Sequence, residues 1–316
     1  MGMQNPREVY GRTLVEMGRE NPNIVVLEAD LGKSTMTCYF EQEFPERFFE
    51  MGIAEANMTS FAAGLSLAGK IPFTNSFAVF AAGRAFDQIR QGICIPGLNV
   101  RIVGSSCGLS DFGDGSTHQS VEDVAIMRAI PNMTVLVPAD GNETRTMTRA
   151  LADYAGPVYM RITRNELPDV MPENEPFVPG KPHLIREGSD IVVFANGQMV
   201  SIALETADAL DREGVSLRIV NVSSMKPVDK AALAELARGM KGVVTAEEHS
   251  LVGGLASLVQ EVLQGRPMPM RAIGIADRFG QSAHNYADLL QAYGLTSGHI
   301  ATAVKSIGDS RVGIRD

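Results

Sequence analysis

Tryptophan is absent, and cysteine occurs only at Cys38, Cys94 and Cys107. An odd number of cysteines with no C-x-x-C pair argues against a disulfide framework and a cysteine zinc site; a reducing compartment fits better. No apolar run reaches the roughly 18–20 residues a membrane-spanning helix needs. The opening MGMQNPREVY has no apolar segment of the secretory kind, and Pro6 stands where a myristoylation signal needs Ser or Thr. The expected location is the cytoplasm. Basic residues are outnumbered, 28 Lys and Arg against 37 Asp and Glu, for a net charge of −9. That argues against a nucleic-acid binder, which needs a basic face to neutralise phosphates, while a few local arginines can still grip a small anion. At 45% hydrophobic and 21% charged residues, the composition is that of a soluble globular protein, not of a disordered chain or a coiled coil. With 316 residues, about two domains are expected.

Along the chain, helical and strand-like patterns alternate. Residues 6–20 and 55–69 carry apolar positions at helical spacing, the latter at Met58, Phe61, Ala62 and Leu65. IVVL, IPFTNSF, NVRIVG, MTVLVPA and PVYMRIT read as strands, RAFDQIRQGI, SVEDVAIMRAI and NETRTMTRALADYA as helices, and ADLGKS as a loop. The proline-rich stretch ELPDVMPENEPFVPGKPH reads as an extended linker. A second alternating set follows, with strands DIVVFANG, VSLRIVNV, KGVVTAEEH and MRAIGIA, helices at about 198–213, 229–239 and 252–264, and two closing helices. Strands alternating with helices imply mostly parallel sheets covered by helices on both faces. The expected architecture is α/β with two domains, 1–170 and 189–316, joined by a linker at 171–188.

Three motifs mislead. Gly64–Lys70 has the glycines and lysine of a phosphate-binding loop, but Ile71 replaces the metal-binding hydroxyl and a helix precedes it. GSSCG around Ser106 follows a strand, as a hydrolase nucleophile would, yet a glycine-rich loop follows where that motif needs a helix. GDG at 113–115 with Asn142 imitates a diphosphate-bound magnesium motif, but no strand leads into it.

Other signals persist. Glu55 is the only ionisable side chain in MGIAEANMTSFAAGLSLAG. Two explanations stand: a carboxylate favouring the helix dipole, or a desolvated carboxyl with a raised pKa poised to share a proton. Phe73, Phe77, Phe80 and Phe86 are either core or a wall for a flat ring. DFGDGSTHQ gathers Asp111, Asp114 and His118 in a glycine-containing loop after a strand, where α/β sheets bind ligands. His118 is either a surface histidine or a proton handler near neutral pH.

Taken together, RFFEMGIAEANM, SFAVFAAGRAFDQIR, GDGSTHQSVEDVAIMRAIPNMTVLVPADGNE, RITRNELP, EEHSLVGGLAS and DRFGQSAHNYADLLQAYGLT resemble, in that order and over nearly the whole chain, the C-terminal half of transketolase, a thiamine diphosphate enzyme. The resemblance implies a pyrimidine-binding domain followed by the family's C-terminal domain. It casts Glu55 as the carboxylate that shares a proton with the cofactor's aminopyrimidine. Phe77 and Phe80 become the aromatic surface under that ring, and Asp30 a residue on the cofactor side of its loop. Asp114 matches the reader of a sugar hydroxyl, and His118 the histidine beside the reacting carbons. Arg7, Ser34 and Arg164 match groups that hold the substrate's anionic tail, for which forked guanidinium donors suit a tetrahedral oxyanion. Ser106 stands where the family has a further tail-binding histidine, leaving phosphate, sulfonate or another tail open.

The family's diphosphate-binding domain and magnesium motif have no counterpart here. The resemblance therefore implies one chain of a split transketolase that transfers a two-carbon ketol unit from a ketose to an aldose. Thiamine diphosphate and Mg²⁺ would be completed by a partner subunit, in an α2β2 heterotetramer. Three alternatives stand beside it: the β-subunit of a 2-oxoacid or acetoin dehydrogenase, half of a deoxyxylulose-phosphate synthase-like enzyme, and a non-catalytic binding subunit. Intact Glu55 and His118 speak against the last.

Overall fold

The computed structural model describes residues 2–266 and 268–309. The first helix, Pro6–Glu20, starts where Asn5 caps it: Asn5 Oδ1 accepts from the Arg7 backbone N–H at 3.1 Å, and Pro6 supplies a helical φ at the first position. A seven-stranded sheet runs in the order Ser224–Lys226, Thr134–Leu136, Val158–Arg161, Arg101–Ser105, Ile71–Phe77, Ile24–Glu28, Phe48–Glu50. Its neighbours pair in parallel except at the Ser224–Lys226 edge. IVVLE and RIVGS are buried at every position, as strands covered on both faces must be.

The second sheet has five strands in the order Met270–Ile275, Gly242–Ser250, Ile191–Ala195, Leu217–Asn221, His183–Arg186, with only the last antiparallel. The helix Met199–Asp211 connects two of its parallel strands. Two mostly parallel sheets flanked by helices are thus the architecture the alternation implied.

The expectations need correcting in several places. The segment 171–188 is not wholly a linker, because His183–Arg186 joins the second sheet as an edge strand. An edge needs pairing on one side only, so the prolines before it are tolerated. Leu167–Pro168 pairs with Met3–Gln4, tying the N-terminus to the end of the first half. Ser224–Lys226 leaves the second half to pair with Thr134–Leu136 in the first sheet. ADLGKS runs into the short helix Gly32–Thr35. The segment after Ile71–Phe77 is largely π-helical, over Val79–Arg84 and Ile89–Cys94, instead of one α-helix. Phe61 is 42% exposed and leans on Phe49 outside the buried face of its helix.

One apolar cluster runs through both halves, from Val25, Leu27 and Tyr159 to Phe194, Val220 and Leu255. A buried polar knot lies beside it. Arg161 Nε donates to Asp123 Oδ2 at 2.9 Å, while its other nitrogens donate to Ser120 O and Glu248 O, each at 3.1 Å. Tyr159 donates to the same Asp123 oxygen at 2.7 Å. Neither charged side chain of the pair is more than 3% exposed. Removing one partner of such a pair leaves an uncompensated charge in a poorly solvated place. Asp123→Ala is therefore expected to cost about 3–5 kcal/mol of unfolding free energy. Urea denaturation measures it, and a loss below about 1 kcal/mol would show that Arg161 is satisfied without the carboxylate.

Candidate active site

Most candidate residues sit at the C-terminal ends of parallel strands in the seven-stranded sheet. Asp30 follows Ile24–Glu28, Glu55 follows Phe48–Glu50, and Phe77 and Phe80 end or follow Ile71–Phe77. Asp114 and His118 follow Arg101–Ser105, and Arg164 follows Val158–Arg161. That end of an open α/β sheet is where loops diverge and ligands bind.

Glu55 begins the helix Glu55–Leu67 and is 1% exposed. It is isolated along its own helix but not in space. Arg84 Nη1 donates to Glu55 Oε1 at 2.9 Å and Oε2 at 2.7 Å, and Ser76 Oγ adds a bond to Oε1 at 3.2 Å. A guanidinium thus compensates the buried Glu55 carboxylate. Arg84 reaches this place from a π-helical segment, whose wider turn re-aims side chains and recurs at functional sites. Its side chain is 45% exposed, so it covers Glu55 from the solvent side.

The Arg84 guanidinium also lies 4.4 Å from the centre of the Phe80 ring. Phe77 and Phe80 have centroids 6.2 Å apart and planes only 15° from parallel. His118 meets both edge-on, at 6.1 Å and 5.4 Å. Glu55, Arg84, Phe77, Phe80 and His118 therefore form one contiguous group, although three strands and their loops supply them. Phe73 instead belongs to the apolar core. Thr117 Oγ1 lies 2.9 Å from His118 Nδ1 and orients the imidazole. Asp114 is exposed on the same loop.

A second corner gathers cations. Arg7 is 8% exposed and donates through Nη1 to Ser34 O at 2.6 Å. Ser34 thus contributes its carbonyl to the geometry seen here. Burial, followed by the nearby positive charge of Arg164, lowers the Arg7 pKa to about 10, still far above neutrality. Its Nε is buried with no hydrogen-bond acceptor. Arg164 pairs with Asp111 at 2.9 Å, and the Arg164 backbone is held by Ser110 Oγ and Asn5. Arg7, Ser34 and Arg164, widely separated in sequence, are brought to one place. Asp30 has φ 62 and an exposed side chain, and its N–H donates to Glu50 at 2.9 Å.

Ser106 is not brought to the open site. It is fully buried in a left-handed conformation, φ 52, with its hydroxyl unpartnered, and the chain then enters a turn. A serine nucleophile must be exposed beside a base, so the hydrolase resemblance ends there. Asn142 is also engaged, accepting from Gln4 and donating to Met171 O at 2.8 Å each. Among the described residues, no group of three or more His, Cys, Asp or Glu side chains could hold a metal ion. No described helix is long and apolar enough to cross a membrane.

One site residue, Arg84, and the partner of another, Asp111, are not evident from the sequence. Arg84 lies in a segment whose pattern predicts a regular helix. Asp111 groups with Asp114 and His118 in one loop, and nothing in that pattern marks it as the partner of Arg164.

Residues 3–170 match the transketolase pyrimidine-binding domain, and residues 180–300 match the transketolase C-terminal domain. The chain belongs to the transketolase family. It is 39% identical to the 6-deoxy-6-sulfo-D-fructose transketolase subunit of Clostridium sp. (strain MSTE9), over 96% of this chain and 95% of that one. It is 36% identical to an apulose-4-phosphate transketolase subunit of Phocaeicola vulgatus, over 86% and 87% respectively. Among solved structures, it matches a split-gene transketolase described as an inactive β4 tetramer. Identity is 47% and the TM-score is 0.87, over 97% of this chain and 98% of that chain. Transketolases are thiamine diphosphate-dependent transferases; two of these relatives are named as transketolase subunits and the third as a split-gene transketolase.

The geometry makes Arg84 the electrostatic complement of Glu55 in this transketolase chain. Arg84→Met should lower stability by about 2 kcal/mol, moderated by solvent on the arginine side. Adding Glu55→Gln should recover most of the loss, since a neutral amide needs no counter-charge. A double-mutant cycle by thermal and chemical denaturation checks this; strictly additive effects would show that the pair is not coupled.

Proposed function

We propose that this chain is the C-terminal subunit of a two-chain transketolase that moves a two-carbon ketol unit from a ketose to an aldose. The observation that carries the reading is the buried Glu55 carboxylate adjoining the near-parallel Phe77 and Phe80 rings at the C-terminal edge of the sheet. In kind, these residues fit thiamine diphosphate: a flat heteroaromatic ring needs an aromatic surface and a carboxylate able to share a ring proton. When bound, the cofactor supplies the nucleophilic carbon on which the ketol unit is carried.

This chain's own residues then have distinct tasks. Glu55 holds a proton against the ring nitrogen, which requires Arg84 to yield part of its double contact. Phe77 and Phe80 fix the plane of the ring, and Asp30 belongs to the rim on the cofactor side. His118, oriented by Thr117, moves a proton at the substrate carbons. Asp114 accepts a hydrogen bond from a sugar hydroxyl. Arg7 and Arg164, with Ser34 positioning Arg7, hold the substrate tail. Ser106, buried with its hydroxyl unpartnered, takes no part in holding the tail.

The domain limits proposed are 1–170 for pyrimidine binding and, for the C-terminal domain, a start at about 180, because His183–Arg186 is a strand of its sheet. The diphosphate and its Mg²⁺ are assigned to a partner subunit, in an α2β2 heterotetramer with two sites at interfaces, closed two-fold symmetry being the commonest arrangement. A cytoplasmic setting accords with the free state of all three cysteines.

Two outcomes test the reading. Glu55→Gln, assayed with the partner present, should retain the fold and lose about 10²–10⁴ in turnover, the usual worth of a proton-transfer group. Near-normal turnover in a folded Gln variant would sink that role. The purified chain alone should bind thiamine diphosphate weakly even with Mg²⁺ and transfer no ketol unit, and adding the partner should restore both. Titration calorimetry and a coupled ketol-transfer assay decide this; tight, Mg²⁺-dependent binding by the isolated chain would overturn the division of labour.

A further inference from the structure

The charge arrangement of the tail corner carries a more specific conclusion. Asp111 is 3% exposed and follows Ser110, whose hydroxyl is itself fixed to Cys107 O at 2.6 Å. The Asp111 carbonyl accepts from Gly115 N and Gln119 Nε2, each at 3.2 Å, so its backbone is pinned on two sides. Its carboxylate can therefore be placed with little freedom, and it is placed on Arg164 at 2.9 Å. Arg164 keeps its opposite side toward solvent, with the side chain 37% exposed. The carboxylate thus stands behind the guanidinium, inside the protein, where a substrate does not displace it.

Counting charges gives the consequence. Arg7 and Arg164 contribute two positive charges, and Asp111 removes one. Asp114 and His118 also lie near enough to influence Asp111, the former with a further negative charge. Ser106, buried and neutral, adds none. A phosphate monoester carries close to two negative charges at neutral pH, whereas a sulfonate carries one. Both are tetrahedral with oxygen acceptors, so hydrogen-bond geometry alone does not separate them. Net charge does, because each unit of uncompensated charge in a partly desolvated corner is unfavourable.

We propose that Asp111 is a specificity-determining residue that trims the tail site to match a substrate tail bearing no more than one negative charge, disfavouring a phosphate dianion. The inference rests on the reading of Arg7 and Arg164 as the tail site, and it concerns which tail that site prefers. The relatives span both chemistries, one named for a sulfonated sugar and one for a phosphorylated sugar.

The test compares two donors that differ only in the tail, 6-deoxy-6-sulfofructose and fructose 6-phosphate. The complex with the diphosphate-binding subunit is used. The wild-type complex should show kcat/KM for the sulfonate at least equal to that for the phosphate. Asp111→Asn keeps the shape and an acceptor for Arg164 but removes the charge. It should shift the kcat/KM ratio toward the phosphate by about tenfold, chiefly through KM. Asp111→Ser is the second variant should the amide disturb folding, and the shift should have the same direction. A phosphate preference in the wild type, or a ratio unmoved in either folded variant, overturns the inference while leaving the tail site standing. Arg164→Ala separates the two failures. It should raise KM for both donors by tenfold or more, and an unchanged KM for both would overturn the tail site itself, and the inference with it.

Discussion

Taking Arg161 out of water constrains the whole site. A guanidinium with 3% side-chain exposure must have every nitrogen satisfied or the fold loses several kcal/mol, and the chain meets that demand with atoms from three segments. Asp123 comes from the helix after the loop that bears His118, Ser120 from the end of that loop, and Glu248 from a strand of the second sheet. Glu248 returns the constraint, its Oε1 accepting from Leu109 N at 2.7 Å near the start of the loop. The loop bearing Asp111, Asp114 and His118 is thus fastened at both ends to the second half of the chain.

Other contacts extend the fastening. Gln119 Nε2 donates to Leu109, Asp111 and Gln281 carbonyls at 3.0–3.3 Å, and Ala283 N donates to Phe112 O at 2.8 Å. Gly115 has φ +76, and a Cβ there would lie 2.8 Å from Ser282 N. Only glycine allows the loop to press this closely on the second half. Burying so many carboxylates has an electrostatic signature: burial raises Glu28, Glu143, Glu247 and Glu248 to about 7. Glu28 lies under the Asp30 loop, accepting from Thr35 and Thr37 at 2.7 Å and 2.6 Å, so the rim of the site rests on a hydrogen-bonded carboxyl. Preorganisation here comes from polar groups whose bonds are mutually required, not from apolar packing alone.

The parts of this organisation that are legible in the sequence are those governed by local periodicity. Pro6–Glu20 follows apolar spacing and its Asn5 cap, Glu55–Leu67 follows apolar spacing without a side-chain cap, and the buried parallel strands show as unbroken apolar runs. Edge strands escape that logic. HLIR is only partly buried and follows Pro182, and its strand character comes from pairing with Leu217–Asn221. Ser224–Lys226 likewise exists through its long-range pairing with Thr134–Leu136. The site is legible where a residue is odd for its surroundings, as Glu55 is in an apolar helix. It is not legible where meaning resides in a distant partner. Arg84 reads as one more surface arginine until the π-helical turn sets it on Glu55, and Asp111 reads as one more loop carboxylate until Arg164 meets it.

On the proposed reading of the tail corner, the same pairing explains how a chain of net charge −9 can present anion-binding groups without becoming a general anion trap. Arg84 faces Glu55, Arg164 faces Asp111, and Arg7 gives Nη1 to a carbonyl. Each cation is held by an acceptor on its protein side and is thereby oriented, with part of its charge already compensated. A ligand meeting such a corner gains from fixed donors whose desolvation has largely been met on folding. It gains less from raw Coulomb attraction, which the neighbouring carboxylates reduce. Affinity then depends on matching donor positions and residual charge together, and a tail of the wrong charge is penalised even when its shape fits. With Asp111 in the proposed role, specificity in this corner follows from the acidic partners as much as from the arginines they hold.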